Sequence, residues 1–154
     1  MENSKGEIRK GAEDVFGKVL NRDLFLFLLD LEVKRARRYQ NFLCLMLLKI
    51  KQRSKNEEGL DFHTCYETLS DLLSVEIRES DILGSLDGNG LVILLPYADV
   101  KAGNHAKSRF EETLKYYNFK SRGFDVMIDQ ICFPINGTST IDLIRKALGT
   151  ENSV

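Results

Sequence analysis

The chain has no excess of charge of either sign: 22 Lys and Arg stand against 23 Asp and Glu, a formal net charge of −1. That balance excludes the broad basic field behind non-specific nucleic-acid binding, so no nucleic-acid partner is expected. It equally excludes an acidic or disordered tail as the main feature. Long hydrophobic runs are missing too. The longest, Phe42 to Leu48, is seven residues, against the about 20 of a membrane span, so this segment should make no membrane contact. No apolar signal core follows Met1-Glu2-Asn3-Ser4-Lys5-Gly6-Glu7, and a cytoplasmic location is expected. Cysteine is scarce, and Cys44, Cys65 and Cys132 are an odd count at wide spacing. Neither a zinc pattern nor a disulfide framework fits them. Cys44 and Cys132 lie inside apolar runs and read as small buried residues in a reducing compartment.

What is present is globular. Of 154 residues 43% are hydrophobic, 29% charged and only 2 are Pro, enough for one domain that buries roughly 70% of the unfolded chain's surface. Residues 1–18, with Gly6, Gly11 and Gly17, form a polar lead-in or linker; a domain over 19–150 and a tail over 151–154 follow.

Periodicity places the elements. Asp23 is a candidate cap for a helix with apolar Leu24, Phe27, Leu28, Leu31 and Val33, and Lys34, Arg35, Arg37 and Arg38 suit its C-terminal dipole. Phe42–Leu48 reads as a strand buried on both faces, and polar Lys49–Gly59 as a loop. A second helix is expected over Phe62–Arg78. Ile82–Leu86 and Leu91–Leu95 are apolar runs around the turn-forming Asp87-Gly88-Asn89-Gly90, and Pro96 ends the second run. A third helix over Val100–Tyr117, a strand over Phe124–Phe133 and a short helix capped by Thr140 through Leu148 complete the order. The expected class is α/β (α+β), helices covering one mixed sheet.

Several residues at the joints carry a resemblance. Leu20-Asn21-Arg22 followed by Phe25, Arg35-Ala36-Arg37-Arg38-Tyr39, Ser80-Asp81-Ile82-Leu83 and Leu94-Leu95-Pro96 occur in order and at matching spacing. Together they resemble the GGDEF domain of diguanylate cyclases, over about residues 18–150. Those enzymes condense two GTP molecules into cyclic di-GMP on a fold related to polymerase palms and nucleotide cyclases. The resemblance implies a palm-like fold with a central mixed five-stranded sheet flanked by helices.

The family's signature then falls on Asp87-Gly88-Asn89-Gly90-Leu91, which keeps only the second glycine. Where active members hold Mg²⁺ with an acid, this chain has Asn89, and their next acid is Gly90. The first-strand metal Asp aligns with Lys49, and the acid two residues on with Lys51. Magnesium takes hard oxygen ligands and neutralises charge in phosphoryl chemistry. An ammonium opposes such an ion by about 4 kcal/mol per unit-charge pair at ~4 Å and an effective dielectric of ~20. The expectation is an inactive homologue that needs no Mg²⁺ and has no catalytic residues of its own. Lys49 could instead meet a nucleotide phosphate directly, or be a solvated strand-end Lys. The family's phosphate-binding Lys aligns loosely with Asn152, and a guanine-contacting Asn with Asn56.

A second site is better preserved. Active members often carry an inhibitory site for their product, Arg-x-x-Asp, five residues before the signature. Here Arg78-Glu79-Ser80-Asp81 precedes Asp87 at that spacing, and the arginine which the resemblance takes from the next helix falls on Arg109. The pattern alone recurs at Arg122-Gly123-Phe124-Asp125, so position gives the first its weight. An Arg fork can grip phosphate or the guanine O6/N7 edge, and the Asp carboxylate can accept from guanine N–H groups. The plainer alternative is a surface ion pair worth ~0–1 kcal/mol.

Other chemistry finds little support. His63 and His105 lack ligand-spaced partners, Asp87–Gly90 lacks the distal acid of a calcium loop, and Ser70 and Ser74 lack a base. The leading expectation is a cyclic di-GMP receptor for signal transduction, using Arg78, Asp81 and Arg109, in a homodimer or beside a sensor or output domain. The alternatives are a non-binding dimerisation or interaction scaffold, and a GTP-binding pseudo-enzyme.

Overall fold

β1 (Leu43–Gln52) is apolar on both sides because both of its faces are covered. Cys44, Met46, Leu48 and Ile50 point into one core, and Leu43, Leu45 and Leu47 into another. The computed structural model describes residues 19–53, 61–86, 88 and 90–149. The lead-in 1–18, Asn56, Asp87, Asn89, Asn152 and the tail 151–154 lie outside the described residues.

In chain order the elements are α1 (Arg22–Tyr39), β1, α2 (Phe62–Glu76), β2 (Ile82–Gly84), β3 (Gly90–Pro96), α3 (Val100–Tyr117), a 3-10 turn (Phe119–Arg122), β4 (Phe124–Phe133) and α4 (Thr140–Gly149). The sheet order is β2-β3-β1-β4, and every strand pair is antiparallel. α2 and α3 contribute to the core that includes Met46, and α1 and α4 to the core that includes Leu45. The result is a palm-like α+β sandwich. The expected five-stranded mixed sheet is corrected to four antiparallel strands among the described residues, because the one parallel pairing is a single bridge between Leu20 and Gly84. That bridge takes the Ser85 N–H onto the Leu20 carbonyl at 3.0 Å, which ends β2 earlier than the apolar run suggests. Gly84 is required there, since an added Cβ would strike the Phe25 ring.

Other boundaries move for identifiable reasons. β1 runs on through Lys49, Ile50, Lys51 and Gln52, where a loop was expected, because β4 supplies partners as far as Gln52↔Phe124. Asn21, not Asp23, caps α1, its side chain accepting from the Leu24 N–H at 2.9 Å. At α4 the Ser139 hydroxyl accepts from the Asp142 N–H at 3.1 Å, while Thr140 donates to Asp30 on α1 at 2.7 Å. The cysteine reading is corrected as well. Cys44 and Cys132 are both buried, but they face each other across β1 and β4 and are joined as a disulfide. Cys65 is free and buried; burial pushes its thiol up to about 11. Among the described residues no helix is long and apolar enough to cross a membrane.

Candidate functional site

α2 stops at Glu76 because Ile77 turns to an extended backbone (φ −75°, ψ 156°) while its N–H still reaches the Leu73 carbonyl. Arg78 and Asp81 therefore lie in the turn between α2 and β2, and Arg78 falls outside the helix expected over Phe62–Arg78. Two bonds close this turn. The Arg78 N–H donates to Asp81 Oδ2 at 2.9 Å, and the Asp81 N–H donates to the Arg78 carbonyl at 3.0 Å. The carboxylate is thus held in place by the backbone.

The third residue comes from α3, which presses close to the sheet at Gly103, where a Cβ would meet Gln130 and Cys44. α3 brings Arg109 to the same region. Asp81 is half-buried, and desolvation raises its carboxyl above the ordinary value of 3.8, while the Arg78 N–H and the positive charges of Arg78 and Arg109 pull it back down. Arg78 and Arg109 therefore lie near enough for their charges to act on Asp81, which is fixed by the backbone of its own turn. Arg109 also meets Glu76, whose Oε2 lies 3.6 Å from its Nε. Glu76 is absent from the sequence reading, and only an acid ending the helix before the motif could have signalled it.

The second Arg-x-x-Asp separates. Asp125 pairs with Arg53 at 3.4 Å, and Arg122 lies over the Tyr117 ring at 4.6 Å. The basic end of α1 is consumed locally: Lys34 pairs with Asp30 at 2.8 Å, Arg35 with Glu32 at 3.0 Å, and Arg37 donates to the Thr138 carbonyl at 2.8 Å.

At the hairpin, Lys49 stands opposite Gly90 across β1 and β3. It is only 7% exposed, in a narrow space bounded by Leu47, Leu86, Leu91, Ala147 and Leu148. A solvated strand-end lysine is thus corrected to a buried one, because the strand continues past it. Of the signature, Gly88 is exposed and Gly90 opens β3; Asp87 and Asn89 are outside the described residues. Beside it, a cleft of about 460 Å³ is lined by Val19, Phe62, His63, Tyr66, Asp71 and Gly88, among others. His63 pairs with Glu67 at 3.3 Å, and the Ser70 and Ser74 hydroxyls donate back to the Tyr66 and Ser70 carbonyls at 2.8 and 2.7 Å. Among the described residues no group of three His, Cys, Asp or Glu could hold a metal.

Comparison with known proteins agrees with this architecture. The family model "Diguanylate cyclase, GGDEF domain" matches residues 12–147. No curated protein matches the chain. Among solved structures, a DGC protein from Thermotoga maritima superposes with a TM-score of 0.74 at 18% identity, over 90% of this chain and 98% of that one. The active GGEEF domain of a diguanylate cyclase from Vibrio cholerae gives 0.71 at 15%, over 88% and 94%. The GGDEF domain of DgcB from Caulobacter crescentus, solved in complex with c-di-GMP, gives 0.64 at 12%, over 88% and 82%. With most of its length matched by the family model and its sheet, helices and hairpin arranged as in these structures, the chain belongs to the GGDEF domain family.

Proposed function

We propose that this GGDEF domain is a catalytically inactive receptor for cyclic di-GMP, which it binds through Arg78, Asp81 and Arg109. The observation that carries the reading is a backbone-fixed Asp81 carboxylate in the same turn as Arg78, with Arg109 brought from α3 to the end of α2, where it lies 3.6 Å from Glu76. Cyclic di-GMP offers two phosphates for the arginine forks and guanine N–H groups for the carboxylate. The complex of a related GGDEF domain with c-di-GMP supports the ligand class.

The reading of inactivity rests on the hairpin. The residues that stand where the family holds Mg²⁺ do not fit a dication. Lys49 is a buried ammonium beside the hairpin, and Asn89 is a neutral amide. Occupancy of the arginine clasp would pass to an attached domain or a second copy, by favouring one arrangement over another.

Isothermal calorimetry tests the reading. Cyclic di-GMP should bind at micromolar concentration or below, and Arg78→Ala should weaken binding by about tenfold or more, the range for hydrogen bonds to charged groups. Absence of heat at high concentration would instead favour a scaffold. Incubation with GTP and Mg²⁺ should give no cyclic di-GMP; protein-dependent synthesis refutes the inactive assignment.

A further inference from the structure

The clasp arginine from α3 is already engaged. Glu76, the last residue of α2, holds Oε2 3.6 Å from Arg109 Nε. Its other oxygen, Oε1, accepts from Thr113 Oγ1 at 3.0 Å. Thr113 lies one turn beyond Arg109 on α3, and its hydroxyl is also 3.2 Å from the Arg109 carbonyl. Thr113 thereby pins the carboxylate that faces Arg109. The Arg109 Nε is sealed from solvent and makes no hydrogen bond among the described residues, since 3.6 Å exceeds hydrogen-bond length. The pair acts through charge. Both side chains still reach solvent, at 41% and 30% exposure, so an incoming anion can approach the guanidinium while Glu76 remains beside it.

We infer that Glu76 is a built-in competitor of anionic ligands at this clasp. It offsets part of the Arg109 charge, and a phosphate arriving at the same guanidinium must share or displace it. A purely supporting acid would orient the fork through a directed N–H···O bond, which this contact lacks. The inference rests on the proposed receptor function and concerns what sets its affinity.

Calorimetry of the whole chain with cyclic di-GMP tests it, comparing the unsubstituted protein with Glu76→Gln and Glu111→Gln. Glu111 is exposed on the same helix, two residues from Arg109, so it reports the general effect of removing one negative charge. Glu76→Gln should bind about two- to fivefold more tightly, the range for a partly exposed ion pair, and Glu111→Gln should stay near the unsubstituted affinity. Binding seen only with Glu76→Gln also supports the inference. Equal or weaker binding by Glu76→Gln, or an equal gain with Glu111→Gln, overturns it and leaves the receptor reading standing. No heat from any of the three proteins overturns both.

Discussion

Two charged regions lie at opposite ends of the β2–β3 hairpin, and they handle charge in opposite ways. Where β2 begins, Arg78, Asp81 and Arg109 are partly exposed, and the acid is fixed by the backbone of its own turn. Where β3 begins, Lys49 is a cation buried among Leu47, Leu86, Leu91, Ala147 and Leu148. A half-exposed, pre-positioned charge can exchange water for a ligand at modest expense. A buried charge is committed to the fold, because moving it or reversing its sign disturbs the packing and the contacts around it. On the proposed reading, the hairpin joins a region that exchanges water for ligand with one whose buried charge belongs to the fold.

The largest expected effect breaks the closed region. Lys49→Asp puts a short carboxylate into the same aliphatic space, and urea unfolding should show a loss of about 2–4 kcal/mol. Lys49→Met keeps the length and removes the charge, and should cost less than Lys49→Asp, which reverses it. A Lys49→Asp protein as stable as the parent would mean that this region is open after all, and the contrast with the clasp would fail.

Much of this arrangement was legible beforehand, and the gaps have physical causes. α3 at Val100–Tyr117 and β4 at Phe124–Phe133 have the bounds that the sequence led one to expect. Lys49 to Gln52 misled because their polarity reads as loop, whereas their strand character is supplied by pairing with β4, over 70 residues away. The Cys44–Cys132 disulfide was invisible for the same reason: only the register of β1 on β4 sets those two residues opposite one another. The candidate site residues were named one by one through the family resemblance. Their arrangement was not legible, because Arg109 comes near the α2–β2 turn only once α3 has docked on the sheet, and that docking delivers it to Glu76.

A smaller effect sharpens the open region through pH. Burial raises the Asp81 carboxyl above 3.8, so the folded protein holds that proton more tightly than the unfolded chain. Ionised Asp81 then costs stability above its folded pKa, and this cost disappears as pH falls through the window between that value and 3.8. Ligand binding should run the other way. A protonated carboxyl has lost acceptor capacity for guanine N–H groups, so cyclic di-GMP affinity should fall as pH drops through the raised value. Asp81→Asn should bind more weakly near neutrality and show a flatter profile. An unchanged slope in calorimetric titrations across that range would remove Asp81 from the ligand contacts.

The smallest expected effect concerns the second Arg-x-x-Asp, which separates sequence pattern from assembled geometry. Arg122 is exposed and rests on the Tyr117 ring, while Asp125 is paired with Arg53. Arg122→Ala removes an exposed cation–π contact worth about 0.5–1 kcal/mol. It should lower stability by no more than that and leave cyclic di-GMP affinity within about twofold, in contrast to Arg78→Ala. The two substitutions are chemically identical and sit in the same four-residue pattern. A large affinity loss at Arg122 would show that the pattern, rather than the convergence of α3 on the α2–β2 turn, recognises the ligand.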